Sequence, residues 1–169
     1  MAVSVNYNLG ITVDETQNMG DGAGDVTFSY STATAGKIDA STSVKAEYAF
    51  SDTFQLVGGT YTLHLDSMTG PLGSTVNFNG KKVLLVKIAC PTTNTAPVLV
   101  TKSAGVWPYN LFGEDVAAAD RVVIEAGETY LMYHPETLAA VATGAEEAID
   151  FTSADLTADV TIELVAGVT

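Results

Sequence analysis

The sequence is short of the residues on which most small-protein chemistry rests. It has one cysteine, Cys90, so no disulfide can form within the chain and the fold must rest on its core. His64 and His134 are the only histidines, and two histidines far apart with a single cysteine make a poor zinc-ligand set. Arginine occurs once, as Arg121, and the formal net charge is −13. Such a field repels a phosphate backbone and an anionic bilayer, which argues against direct nucleic-acid or membrane binding. No apolar run approaches the ~20 residues of a membrane helix. The stretch from Met1 to Tyr7 lacks the basic and apolar regions of a secretory signal, so folding in the cytosol is expected.

What is abundant is Val, Thr, Ala and Gly, a mix that favours short strands and turns. The 169 residues suffice for one domain with a real core. Val3, Val5, Tyr7 and Leu9 alternate with polar residues, as in a strand or an arm seeking a neighbour's sheet. Asp14 to Asp25 is glycine-rich and acidic and reads as a flexible loop. Val26, Phe28 and Tyr30 alternate again, and Thr32 to Ser41 reads as another loop. Val44 to Phe50 reads as a strand ended by a turn at Ser51-Asp52. Hairpins are expected at Gly58-Gly59, at Asn79-Gly80 and at Ala126 to Glu128. The Asn79-Gly80 hairpin, with the apolar run Val83 to Ile88 behind it, is expected at the centre of the fold. Strands are also expected at Val98 to Thr101, Leu138 to Val141, Ala148 to Phe151 and Val160 to Val165, and one helical turn within Glu114 to Asp120.

The pattern predicts an all-β fold, a β-sandwich or jelly-roll-like domain of roughly ten to twelve short strands with an extended N-terminal arm. Residues 1–25 form the arm and acidic loop, and 26–169 the sandwich. The expected core is Phe28, Phe50, Leu56, Leu63, Leu65, Phe78, Val83, Leu85, Ile88, Val100, Val122, Ile124, Leu131, Ile149, Phe151, Ile162 and Leu164.

No catalytic constellation stands out, and no enzyme activity, cofactor or metal is expected. Asp14, Asn18, Asp21 and Asp25 offer oxygen donors for a calcium ion, but their spacing fits no standard calcium loop. A solvated loop is the stronger reading. His64 lacks a nucleophile elbow and oxyanion donors near it, and reads as an exposed structural histidine. Cys90, before Pro91, reads as a buried, inert thiol. Lys81 and Lys82 are either solvated or face an acidic edge of a neighbouring copy. Trp107, Tyr109 and Phe112 cap one end of the core or face a partner.

From Phe54 to Gly167 the chain resembles small tailed-phage virion proteins of the β-sandwich type. The resemblance rests on the strand-rich lead Phe54 to Leu65, the Lys82 to Ile88 run and the aromatic loop at Trp107 to Phe112. It continues through the apolar Ala-Gly-Glu-Thr apolar hairpin from Ile124 to Tyr133, Ala148 to Asp155, and Ala158 to Gly167. It implies a head decoration or cement protein, working as a homo-oligomer with a trimer favoured. The implied partners are a major capsid protein or other virion subunits, and the implied location is the virion, assembled in the host cytoplasm. The surface that would serve this role is Val3, Val5, Tyr7, Leu9, Lys81, Lys82, Trp107, Tyr109 and Phe112. Alternatives are a tail or collar subunit, or a carbohydrate-binding module stacking sugars on Trp107, Tyr109 and Phe112.

Overall fold

A computed structural model describes residues 4–18, 25–39, 45–70, 73, 75–102, 121–133, 140–141 and 147–168. Every regular element among them is a strand, and the chain is all-β, as its alternation predicts. The strands are β1 (Ser4–Asn18), β2 (Asp25–Asp39), β3 (Lys45–Gln55), β4 (Thr60–His64), β5 (Met68–Thr69) and β6 (Thr75–Val76). They continue with β7 (Lys82–Ala89), β8 (Val98–Lys102), β9 (Val122–Ile124), β10 (Thr129–Tyr133), β11 (Ala148–Ser153) and β12 (Asp159–Val168).

Two four-stranded antiparallel sheets make the body, in the orders β10-β7-β12-β3 and β4-β11-β8-β9. One hydrophobic cluster joins them. Phe50, Val86, Ile88, Ile162 and Leu164 come from the first sheet, and Leu63, Val100, Ile124, Ile149 and Phe151 from the second. Phe54 of β3 meets Phe151 of β11 edge-on, with ring centroids 5.1 Å apart, and stacks on Tyr61 of β4 at 3.9 Å. Successive strands from β3 to β12 alternate between the two sheets, except that β8 and β9 share one and β5 pairs only with β6. That order is a jelly roll: eight strands in two sheets, each sheet drawing on both halves of the chain.

The alternation explains where sequence expectations needed correction. The turns at Gly58-Gly59, Asn79-Gly80 and Gly127 are present. Thr60 N–H donates to the Val57 carbonyl, Lys81 N–H to Phe78 and Glu128 N–H to Glu125. Around Gly58-Gly59 the antiparallel Val57–Thr60 bridge closes the turn, but β3 and β4 then run in different sheets; the Gly127 turn likewise leads from one sheet to the other, and Asn79-Gly80 leads from the β5–β6 pair into β7. The central strand β7 is paired on both edges, with β10 and β12, so it has no edge left for β6. Its burial on both faces is as the apolar run predicted. Val83, Val86 and Ile88 face the core, while Leu84 and Leu85 join Ala46 and Val165 in a second cluster. Register irregularities opposite Val165 to Gly167 let β7 and β3 each carry an extra residue there. Ser51-Asp52 is not a turn, because both residues pair with β12, opposite Glu163 and Ile162, and β3 runs straight through.

Gly59 shows how tightly one corner is made. Its φ is +78°, and a Cβ there would lie 2.5 Å from the Ser153 carbonyl oxygen. Gly59 N–H donates to Leu156 and its carbonyl accepts from Ser153 N–H, so the corner cannot shift away cheaply. Gly59→Ala is expected to cost about 2 kcal/mol, from the left-handed backbone and the clash together. Urea denaturation checks this, with the neighbouring Gly58→Ala (open space at its Cβ position) as the milder comparison.

The end of the sandwich near Asp155 is closed by hydrogen bonds. Asp155 accepts from Thr95 N–H at 2.8 Å and from Thr157 N–H at 3.0 Å. Buried Asn94 exchanges two bonds with the Asp159 backbone, at 2.9 and 3.0 Å. The Thr95 amide, then the Thr157 amide, holds the Asp155 carboxyl below its ordinary range. A carboxylate lowered on folding stabilises above its unfolded-state value and loses that contribution as pH falls through its folded value. Asp155→Asn is therefore expected to show a shallower fall of Tm between neutral and acid pH than the unaltered protein, read by calorimetry.

Candidate functional site

Two strand pairs among the described residues share no pairing with the four-stranded sheets, the short β5–β6 and the long β1–β2 hairpin. The strands of the long hairpin pair antiparallel over their whole length, from Ser4 opposite Asp39 to Asn18 opposite Asp25, in a two-stranded sheet of their own. This revises the sequence reading in two places. Asp14 to Asn18 continue β1 and Asp25 begins β2, so those residues are strand rather than loop; residues 19–24 lie outside the described residues. Thr32 to Asp39 is also strand. Its threonines suit a pleated surface, and β1 supplies the backbone partners that the sequence alone does not reveal.

Register sorts the ribbon into two unlike faces, because directly opposed residues of an antiparallel pair lie on the same side. One face takes the rows Val5–Ile38, Tyr7–Gly36, Leu9–Thr34, Ile11–Thr32, Val13–Tyr30, Glu15–Phe28 and Gln17–Val26. The other takes Ser4–Asp39, Asn6–Lys37, Asn8–Ala35, Gly10–Ala33, Thr12–Ser31, Asp14–Ser29, Thr16–Thr27 and Asn18–Asp25. The first is mainly apolar with a single charge, Glu15. The second is small and polar and carries the remaining charges. Val5, Tyr7 and Leu9, expected to face a partner, fall together on the apolar face; Val3 lies outside the described residues. Phe28, expected in the core, lies on β2 opposite Glu15. The alternation that marks Val5 to Leu9 continues without a break through Ile11 to Val13.

The same register bears on the proposed calcium donors. Asn18 and Asp25 are opposed, but Asp14 sits four residues back, about 13 Å along the strand. That is too far for Asp14 to share an ion with them at 2.3–2.6 Å ligand distances. Asp21 lies outside the described residues; among the described residues no group of three potential metal ligands is found.

Lys81 forms an ion pair with Glu47 and lies 5.6 Å from the centre of the Tyr48 ring, so its charge is matched inside the chain. Lys82 opens β7 and makes an isolated bridge with Ala140. Lys87 pairs with Glu163 across β7 and β12 at 2.9 Å. His64 is exposed on β4 and lines a shallow cavity of about 150 Å³ with Asp52, Thr62 and Ser67. His134 and the aromatic residues Trp107, Tyr109 and Phe112 lie outside the described residues, as do the Glu114 to Asp120 turn and Leu138.

Cys90 is buried, and burial first, then Glu128, pushes its thiol up to about 11. Only the thiolate is a nucleophile, so the group is unreactive at neutral pH. Ellman's reagent is expected to titrate no thiol in the folded protein over minutes and one on unfolding; rapid labelling of the native chain would contradict this.

No protein-family model matches the chain, and no curated protein matches it. One similarity is found among solved structures. It is to a chain of the X-ray structure of Tomato Aspermy Virus, at a TM-score of 0.42 and 12% identity, covering 78% of this chain and 84% of that one.

Proposed function

We propose that this chain is a structural subunit of a virion, acting by self-association and docking rather than by catalysis. The observation that carries the reading is the combination of a jelly-roll body with a long two-stranded ribbon that shares no strand pairing with it. Jelly rolls serve as viral capsid domains, as lectins and as cupins, so the fold supports the reading by analogy only. The ribbon is what favours assembly, since an isolated two-stranded hairpin is marginal in water and gains stability from a covering layer. The resemblance to tailed-phage β-sandwich proteins narrows the proposal to a head decoration or cement protein, bound to the major capsid protein. An acidic surface keeps such an abundant subunit dispersed until it docks.

The test is co-sedimentation of the purified protein with purified tailed-phage heads, alongside a glycan array. Saturable binding to heads with a blank array supports the proposal. Failure to bind heads, with specific binding of a sugar, would replace it with the carbohydrate-binding reading.

A further inference from the structure

We infer that Asp52 guards the open edge of the first sheet and keeps it from pairing with the same edge of a second copy. The inference does not rest on the virion reading.

β3 ends the β10-β7-β12-β3 sheet, and β12 is its only strand partner among the described residues. Leu56 N–H, at the end of β3, donates to the Ala158 carbonyl on the β12 side at 2.8 Å. Backbone groups alternate in direction along a strand, so the N–H and C=O of Phe50, Asp52 and Phe54 also turn to β12. Those of Ala49, Ser51, Thr53 and Gln55 turn to the open edge. All four of these residues are exposed in the folded chain.

Side chains alternate as well. Phe50, Phe54 and Leu56 pack into the core, and Asp52 stands among them on the same face of the strand. It lines the small cavity between β3 and β4, with Phe50, Tyr61 and Thr62. Burial first, then Asp52, raises the Tyr61 hydroxyl above its ordinary range, so the carboxylate is felt inside the seam. A hydrophobic residue would continue the inward row; a charge interrupts it. Asp52 Oδ1 also accepts the Thr53 N–H at 2.8 Å, and that N–H is a donor an added strand would need. An inward-pointing charge on an edge strand is one means by which sheets are kept from extending.

The occupant held off is a second copy, because the edge is complementary to itself. A twofold axis at Ser51 opposes Ser51 to its own copy and Ala49 to Thr53, antiparallel, with small side chains on the solvent face. Asp52 of each copy then lies opposite Phe50 of the other. The new ladder takes the Thr53 N–H, and the carboxylate is enclosed beside phenylalanines without its donor. Burying an ionised carboxylate with no hydrogen-bond partner is strongly unfavourable, and that cost keeps the two edges apart.

Cross-linking of the full-length protein tests this. Ser51→Cys puts one exposed thiol on the twofold position, while the native Cys90 is buried. With Asp52 in place, a short bis-maleimide is expected to give only the collisional background of dimer. Adding Asp52→Val is expected to raise the dimer at least about tenfold, the equivalent of about one or two net hydrogen bonds. Adding Ala49→Pro as well removes an edge donor without touching the β12 ladder, and is expected to return the dimer to background. Asp52→Thr, an uncharged strand former, takes the place of valine if circular dichroism shows the valine variant unfolded. Abundant dimer with Asp52 present, or background dimer from a folded Asp52 variant, would overturn the guard. So would a dimer that survives Ala49→Pro, because it would come from another surface.

Discussion

Replacing Phe151 with alanine is expected to lower unfolding stability by about 3–5 kcal/mol, the largest loss from any single side chain of the body. Phe151 is fully buried on β11, which is paired on one side with β4 and on the other with β8. Its ring meets Phe54 edge-on at 5.1 Å, and Phe54 in turn stacks on Tyr61, so one ring ties both sheets together. The loss has two parts: the transfer free energy of the removed ring and a cavity that two hydrogen-bonded sheets cannot close. For a domain with about 5–15 kcal/mol of total stability, this is a large fraction. It corresponds to a fall in Tm of roughly 6–20 °C. The exposed Val57, 80% accessible, is the comparison site, where alanine is expected to change stability by less than about 0.5 kcal/mol. A Phe151→Ala cost below about 1 kcal/mol would mean that the two sheets do not share the core described.

The second large effect concerns assembly. Removing residues 1–39 deletes β1 and β2 and breaks no strand pairing within the two four-stranded sheets. The shortened chain is expected to fold, with a Tm within about 5 °C of the full-length protein, and to lose self-association. Ending the deletion at Gly24 is the more damaging design, because it leaves β2 without its only strand partner among the described residues. Calorimetry and light scattering on the two chains read both quantities. A 40–169 chain that does not fold would make the ribbon a layer of the body, and one that associates unchanged would remove the ribbon from assembly.

How far the sequence reveals this architecture differs between its levels. Period-two alternation located the strands of the body, because residues such as Leu63, Val100, Ile149 and Ile162 each face one shared core. It did not reveal which strands pair. The Gly58-Gly59 turn keeps the local chemistry of a hairpin in the Val57–Thr60 bridge, and Asn79-Gly80 keeps its turn, yet the strands on either side of each run in different sheets, and that choice depends on distant partners such as β12. The ribbon was half legible. Val5, Tyr7 and Leu9 alternate plainly, but Thr32, Thr34 and Gly36 look like loop until their opposition to Ile11, Leu9 and Tyr7 gives them a strand's environment. Lys81 was misleading for a similar reason. Its place beside a turn suggests solvent, while its partners Glu47 and Tyr48 come from β3, far away in sequence.

Electron cryomicroscopy of phage heads incubated with the full-length protein tests the proposed assembly role most directly. The expected result is regularly placed density on the head lattice that fits the jelly-roll body. Bare heads, with the protein left monomeric in the supernatant at micromolar concentration, would contradict it.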